Sequence, residues 1–442
     1  MQTLYNILFL FFFVLSAPYY FLRMRRRGNW QAGFWQRFGQ YDARIKQSIT
    51  NRHVLWMHAV SVGEMNICVE LIRALEPRVP NVKIMVSTTT TTGMGELQKR
   101  LPIHVGKFYY PVDRRKWVNR ALGTLHPEAI VLVEAEIWPN LIWRASARGL
   151  PLFLVNARLS ERSYPRYRRL GFLFRGLFAR FTGVGAQNAP DAARLRELGC
   201  RPEAVHVLGN LKFDSVNVDA ARAVDVPGLL NRLGVARDAL ILVAGSTHDG
   251  EERLLAERFL RLRKRFPGLF LILVPRHFER ARDVGAQLEQ LGLSFVYRTS
   301  LSSETRPRQE ASDSLLVDTT GELMSFYQAA SVVVVGKSLI ARGGQNPIEP
   351  AALGKATVFG PHMQNFADVV RLFVAADGAV QVRNADELEK VLEVLLADPA
   401  RREQLGRNAL KVVQENRGAV LRTVEMIVEH LQERQLYVVP PK

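Results

Sequence analysis

The sequence predicts an α/β protein: two Rossmann-like domains facing a deep cleft, with an N-terminal membrane-anchor helix. Three observations carry this reading. Short apolar runs alternate with amphipathic helical stretches along most of the chain, the pattern of parallel sheets covered on both faces. The alternation lapses once, over residues 213–234, and then restarts, dividing the chain into two halves of similar length. Residues 4–22 form an uncharged, nearly all-apolar run close to the length that crosses a bilayer core.

The anchor comes first. "LYNILFLFFFVLSAPYYFL" ends against Arg23, Arg25, Arg26 and Arg27, while "MQTLYN" before it carries no basic side chain. That polarity argues against a cleaved signal peptide and places the rest of the chain on the cytoplasmic side of a membrane. Tyr19, Tyr20 and Trp30 suit the interface. A buried apolar helix is the alternative. Anchor and basic flank take residues 1–30.

The first α/β half, residues 31–215, has candidate strands "HVLWMHA", "VKIMVST", "AIVLVEAE", "LPLFLVN", "TGVGAQ" and "VHVLG". Helices between them include "GELQKRL", "RRKWVNRAL" and "NLIWRASARG". Residues 216–235 read as a linker. The second half, 236–405, restarts with "ALILVAG", "LFLILVP", "LSFVY", "SLLVD", "SVVVVG" and "ATVFG". Residues 406–442 are a C-terminal helix and tail, with the helix packing across a domain boundary.

Composition narrows the function. A chain of 442 residues exceeds one ordinary core, and 48% hydrophobic with 23% charged residues is globular usage. The net charge of +18 points to an anionic partner: nucleic acid, an acidic membrane surface or a phosphorylated substrate. The two cysteines, Cys68 and Cys200, lie far apart in no ligand spacing, which excludes a disulfide scaffold and fits a reducing compartment.

Ligands of open parallel sheets bind outside the carboxyl ends of the strands, and the polar motifs fall at such turns. In "SVGE", Gly63 permits a tight turn and Glu64 stands in the first helical turn. It either complements the helix dipole or serves as a base. In "VEAEIWPN", Glu134 and Glu136 join the same rim, and two carboxylates there can divide acid–base work. Lys212 of "GNLKFD" could reach a developing negative charge, or be solvated surface. Ser246 and Thr247 of "AGSTHDGEE" could place hydroxyls and helix N–H groups around a phosphate; an ordinary N-cap with an acidic first turn explains them equally. Pro275 and Arg276 of "VPRHFERA" offer a guanidinium at a strand end, for phosphate or as mere surface. "ARGGQNPIEPAALG" surrounds a glycine turn with polar groups, among them Asn346 and Glu349; a carboxylate there can hold a ribose diol.

Together "HAVSVGE", "VEAEIWPNLI", "NARLSERS", "GNLKFD", "AGSTHDGEE", "LVPRHFERA" and "ARGGQNPIEPAALGKATVFGPHMQNF" resemble the 3-deoxy-D-manno-octulosonic acid (Kdo) transferases of Gram-negative bacteria, in order and over nearly the whole chain. The resemblance implies a GT-B glycosyltransferase at the inner membrane. It would be inverting and metal-independent, moving Kdo from CMP-Kdo to the lipid A precursor (lipid IVA) in lipopolysaccharide core biosynthesis, with no cofactor. It also implies roles by motif. Glu64 would be the general base, and Glu134 and Lys212 would stabilise the transition state. Pro275, Arg276, Thr320, Gly321, Glu322, Asn346, Pro347, Ile348 and Glu349 would hold CMP. Ser246 and Thr247 rest on the helix N-terminus alone, and Lys337 takes no role.

The basic stretch "SERSYPRYRRLGFLFRGLFARF" carries Arg162, Arg166, Arg168, Arg169, Arg175 and Arg180 among aromatics and leucines. It reads as a surface that meets the membrane and attracts acceptor phosphates, or as a solvated basic helix with an apolar core face. Two rivals remain: a GT-B enzyme with a UDP-sugar donor, and an anchored, non-catalytic binder of anionic glycolipid. Nucleic acid is not expected, since no stacking motifs for single strands occur. No oligomeric state is specified.

Overall fold

The computed structural model describes residues 2–26, 30–134, 136–159, 164–169, 171–216, 218–219, 224–301, 312–433 and 439. The chain divides into two compact units, Met1–Ser215 with Arg417–Lys442, and Val216–Asn416.

In the first unit β1 (His53–His58), β2 (Val82–Thr88), β3 (Gly106–Tyr109), β4 (Pro127–Val133), β5 (Leu152–Ala157), β6 (Gly183–Ala186) and β7 (Val205–Val207) form a parallel sheet. Its order is β3-β2-β1-β4-β5-β6-β7. In the second, β8 (Ile241–Thr247), β9 (Phe270–Pro275), β10 (Phe295–Tyr297), β11 (Ser314–Leu316), β12 (Val332–Val335), β13 (Ala356–Phe359) and β14 (Val380–Gln381) follow the order β10-β11-β9-β8-β12-β13-β14. Each order reverses beside its first strand, between β1 and β4 and between β8 and β12. Such switch points leave room for ligands at the carboxyl edge.

The continuous apolar runs are strands buried on both faces. Along β1, Val54 and Trp56 join one core cluster while Leu55 and Met57 join the other, as side chains alternate across a sheet. β3 and β14 have no counterpart in the sequence reading. Both are edge strands, of four and two residues, and only half of β3 is buried and none of β14, so neither produces an apolar run.

Two boundaries differ from expectation. Segment 216–235 contains a helix, Val226–Arg232, N-capped by Asp225; residues 217 and 220–223 lie outside the described residues. The C-terminal stretch is two helices. Pro399–Asn416 belongs to the second unit and Ala419–Glu433 to the first. Gly418, between them, has φ +85, a conformation that L side chains rarely adopt. The Asp214 carboxylate accepts the N–H groups of Gly418 and Val420 at 2.7 Å each, capping the returning helix. Val424, Ile427, Val428 and Leu431 then complete the core beside helix Val62–Leu75.

The N-terminal helix spans Gln2–Arg26, long and apolar enough to cross a membrane. One face touches the first unit: Tyr5 stacks edge-on to Trp143 and Phe13 to Trp117, both at 5.6 Å. Tyr5 also donates to Asp113 at 2.8 Å. Leu8, Phe11, Phe12 and Leu15 face outward.

In the basic stretch, residues 160–163 and 170 lie outside the described residues, Arg162 among them. Arg166, Arg168, Arg169, Arg175 and Arg180 are exposed, whereas Leu177, Phe178 and Phe181 are buried in the core. Tyr164, Tyr167 and Phe174 pack against that core, and the exposed side chains described here include these five arginines.

Candidate functional site

Glu64 stands where β1 passes into helix Val62–Leu75. Ser61 is the N-cap, its backbone extended at φ −90°, ψ 158°. Its hydroxyl accepts the Glu64 N–H at 3.2 Å and donates to Glu64 Oε1 at 2.7 Å. Oε2 accepts the Val60 N–H at 2.7 Å. Ser-Val-Gly-Glu thus closes a variant of the capping box, the carboxylate reaching past the N-cap to the N–H of the residue before it. Gly63 does not make the turn. It lies inside the helix, where an added Cβ would meet only Ser61 Oγ at 3.8 Å, so its contribution is open space next to Glu64. The carboxylate is nearly buried, at 7% exposure. Burial pushes it up to about 7, against the Val60 and Ser61 hydrogen bonds that pull it down; the charges of Glu136 and Glu134 add to the rise.

Glu134 directly follows β4 with φ +59, a strained conformation for a residue other than glycine. Lys212 Nζ lies 3.2 Å from its Oε1, and Asn156 Nδ2 donates to the same oxygen at 3.4 Å. Three amides at the ends of β5, β6 and β7 place the lysine. Gln187 donates to the Asn156 carbonyl and accepts from Asn210, both at 3.0 Å. Asn156 Oδ1 then accepts the Leu211 N–H at 3.0 Å, and Asn210 Oδ1 that of Lys212 at 3.1 Å. Sequence reasoning missed this network. Its signal was an amide at the end of three successive strands. The Trp138 indole donates to Glu136 at 2.9 Å.

In the second unit the turn after β8 differs from the phosphate cradle that one reading gave it. Ser246 has φ +55 and sits at a register shift between β8 and β9. Thr247 is fully buried, and its hydroxyl donates to Glu252 at 3.0 Å, so it faces the interior. The helix that follows begins with two buried carboxylates. Glu251 accepts four backbone N–H groups, from His248 (3.0 Å), Lys337 (2.6 Å), Ser338 (2.9 Å) and Leu339 (2.9 Å). Protein carboxylate thus occupies the loop donors a phosphate would use. Lys337 itself has φ +55.

Pro275 is buried at the end of β9, and the exposed Arg276 follows, its N–H donating to the Thr247 carbonyl at 3.0 Å. In "NPIE", Asn346 caps the helix by accepting the Ile348 N–H at 3.1 Å, and it donates to Glu349 at 3.2 Å. Burial raises the Glu349 carboxyl, while Asn346 and the Arg276 charge lower it, so "PR" and "NPIE" act on one another. Ile348 is a core residue and Pro347 is buried; the side chains that can meet a ligand are Asn346 and Glu349. In "TGE", Thr320 and Gly321 are exposed. Glu322 is already engaged: Arg298 donates twice at 3.0 Å and Thr319 at 2.6 Å. His248 and Gln345, 3.0 Å apart, were not singled out from the sequence.

The structure therefore brings Glu64, Glu134 and Lys212 to one edge of one unit, and Arg276, Asn346 and Glu349 to one edge of the other. A carboxylate poised near neutrality beside an ion pair can take a proton at neutral pH.

The family described as 3-Deoxy-D-manno-octulosonic-acid transferase (kdotransferase) matches residues 32–215. The 3-deoxy-D-manno-octulosonic acid transferase of Bordetella pertussis is 34% identical over 94% of this chain and 97% of its own length. That of Haemophilus influenzae is 33% identical over 86% and 87%. Among solved structures, UDP-GlcNAc 2-epimerase from Neisseria meningitidis bound to UDP-GlcNAc aligns with a TM-score of 0.55, 13% identity, and coverage of 85% of this chain and 100% of that one. That likeness is one of fold, the GT-B class of two-domain α/β architecture.

Proposed function

Because the chain belongs to the 3-deoxy-D-manno-octulosonic acid (Kdo) transferase family, we propose that it moves Kdo from CMP-Kdo to the lipid A precursor lipid IVA, with inversion at the anomeric carbon. The acceptor hydroxyl oxygen bonds to the anomeric carbon as the bond from that carbon to the CMP phosphate oxygen breaks. The hydroxyl proton passes to Glu64.

The observation that carries this reading is the poise of Glu64, a nearly buried carboxylate raised to about 7. It is deprotonated often enough at neutral pH to act and basic enough to take the proton. Lys212, held by Glu134, offers positive charge where negative charge develops. Arg276, Asn346 and Glu349, with the exposed backbone of Thr320 and Gly321, hold the CMP moiety. The reaction uses no metal or cofactor. Helix Gln2–Arg26 anchors the enzyme in the inner membrane, with the arginines of its C-terminal end, Arg23, Arg25 and Arg26, on the cytoplasmic side.

The test is product mass from purified protein, CMP-Kdo and tetraacylated lipid IVA. A mass gain of Kdo is expected, and Glu64→Gln should bind donor yet lose activity by about 10²–10⁴-fold. Turnover of a UDP-sugar in place of CMP-Kdo would replace the donor assignment, and full activity in Glu64→Gln would remove Glu64 as the base.

A further inference from the structure

Helix Gln2–Arg26 is joined to the first unit along one face, and its first turns are held there by polar contacts. Tyr5 donates its hydroxyl to Asp113 Oδ2 at 2.8 Å. The Asp113 carboxylate is buried and also accepts the N–H groups of Asn140, at 2.9 Å, and Leu141, at 3.0 Å, so it serves the first turn of helix Pro139–Ser146. Asn6 and Asn140 exchange amide hydrogen bonds, Asn140 Nδ2 donating at 3.0 Å and Asn6 Nδ2 at 3.3 Å. Rings continue the contact: Tyr5 meets Trp143, Phe13 meets Trp117 and Phe21 meets Phe34, with centroids at 5.6, 5.6 and 6.3 Å. From Tyr5 to Phe21 this runs along about 24 Å of helix axis. A second stripe at helical spacing, Leu8, Phe11, Phe12, Leu15, Tyr19 and Leu22, is exposed, and the exposed Arg25 and Arg26 follow it. A helix crossing the bilayer could not keep the first set of contacts. Its basic end would stay beside the unit, and Tyr5 would lie about 30 Å away across the hydrocarbon, where a buried carboxylate such as Asp113 could follow only at a large desolvation cost.

We propose that this helix is an in-plane anchor: it lies within the cytoplasmic leaflet, its Tyr5–Phe13 face built into the first unit and its Leu8–Leu22 stripe among acyl chains, with Arg25 and Arg26 on anionic headgroups. The inference rests on the reading of this helix as the membrane anchor, and it changes the topology, since Gln2 then stays on the same side of the membrane as the unit. Length and hydropathy suit a span and an in-plane helix alike. What separates the two is that one face is already covered by protein, with Tyr5, Asn6, Phe9 and Phe13 half-buried there. Asp113 also serves the helix that follows Glu136 and Trp138, so the membrane contact is tied to the turn that carries part of the candidate site.

The experiment is thiol labelling of the full-length protein in inner membranes of known orientation. Gln2 is exposed and both native cysteines are buried, so a Gln2→Cys protein carries one accessible thiol. A membrane-impermeant maleimide should label it in inverted vesicles and not in right-side-out spheroplasts; labelling in spheroplasts overturns the inference. Tyr5→Phe, reconstituted in nanodiscs containing anionic lipid, is the second arm. Its first unit should melt about 2–6 °C below the parent's, because the buried Asp113 loses a donor. In a spanning helix Tyr5 is remote from Asp113 and the substitution changes nothing, so an unchanged melting temperature also overturns the inference. Sedimentation of the lysate separates the two layers. Protein left in the soluble fraction removes the anchor reading itself, whereas protein that pellets with membranes and is labelled in spheroplasts removes only the in-plane placement.

Discussion

Lys212 and Glu134 meet as an ion pair at 3.2 Å with both side chains largely covered, at 14% and 16% exposure. The pair is held by a strained Glu134 backbone on one side and by the Asn156–Gln187–Asn210 amides on the other. Lys212→Met should lower kcat for Kdo transfer by about 10²–10³-fold, the cost of removing a preorganised electrostatic contact. Melting should shift by only a few degrees. Steady-state kinetics with thermal unfolding checks both, and unchanged kcat would take Lys212 out of the mechanism.

The Glu64 carboxyl gives opposite pH signatures in rate and in stability. With Glu64 as the proposed base, transfer would require the ionised form, so kcat should rise with pH through about 7. The folded state binds the Glu64 proton more tightly than the unfolded chain, where the value is near 4.5. Its contribution to stability is therefore fully present below about 4.5 and is lost as pH rises toward and through about 7. The melting difference between the parent and Glu64→Gln across this window should grow in favour of the variant as pH increases.

Glu251 should prove structural. Replacing it with alanine leaves four buried or half-buried backbone N–H groups without their acceptor, at a cost of about 3 kcal/mol or more. The second unit should melt about 6–12 °C lower. A variant that melts like the parent would mean that water or a neighbouring oxygen serves those donors.

Arg276 should govern nucleotide affinity partly through Glu349. Without its charge the Glu349 carboxyl is left to burial, which raises it. Arg276→Ala should weaken CMP binding about 10–100-fold, the loss of a charge-assisted contact, and a mutant that binds CMP like the parent in titration calorimetry would refute the assignment.

What the sequence disclosed follows from how far each interaction reaches. Of the fourteen strands among the described residues, twelve announce themselves as local apolar runs; β3 and β14, short edges, do not. The Ser61–Glu64 box is legible because its members lie three apart. The Asn156–Gln187–Asn210 lattice is not, since parallel strands bring together residues that local spacing leaves unrelated. The β8 turn shows the converse hazard. "GSTHDGEE" resembles an anion site from its glycine and hydroxyls, but the two glutamates that follow fold back and fill it.

The return of helix Ala419–Glu433 to the first unit sets a timetable for biosynthesis. The residues that finish the first core, from Val424 to Leu431, are synthesised only after the whole second unit, which is continuous in the chain. The nascent protein must hold an incomplete, apolar first sheet while the later unit is made, and it can seal that sheet only once the second unit has been synthesised. Truncation upstream of Gly418 should therefore yield a chain whose second unit folds and whose first unit aggregates.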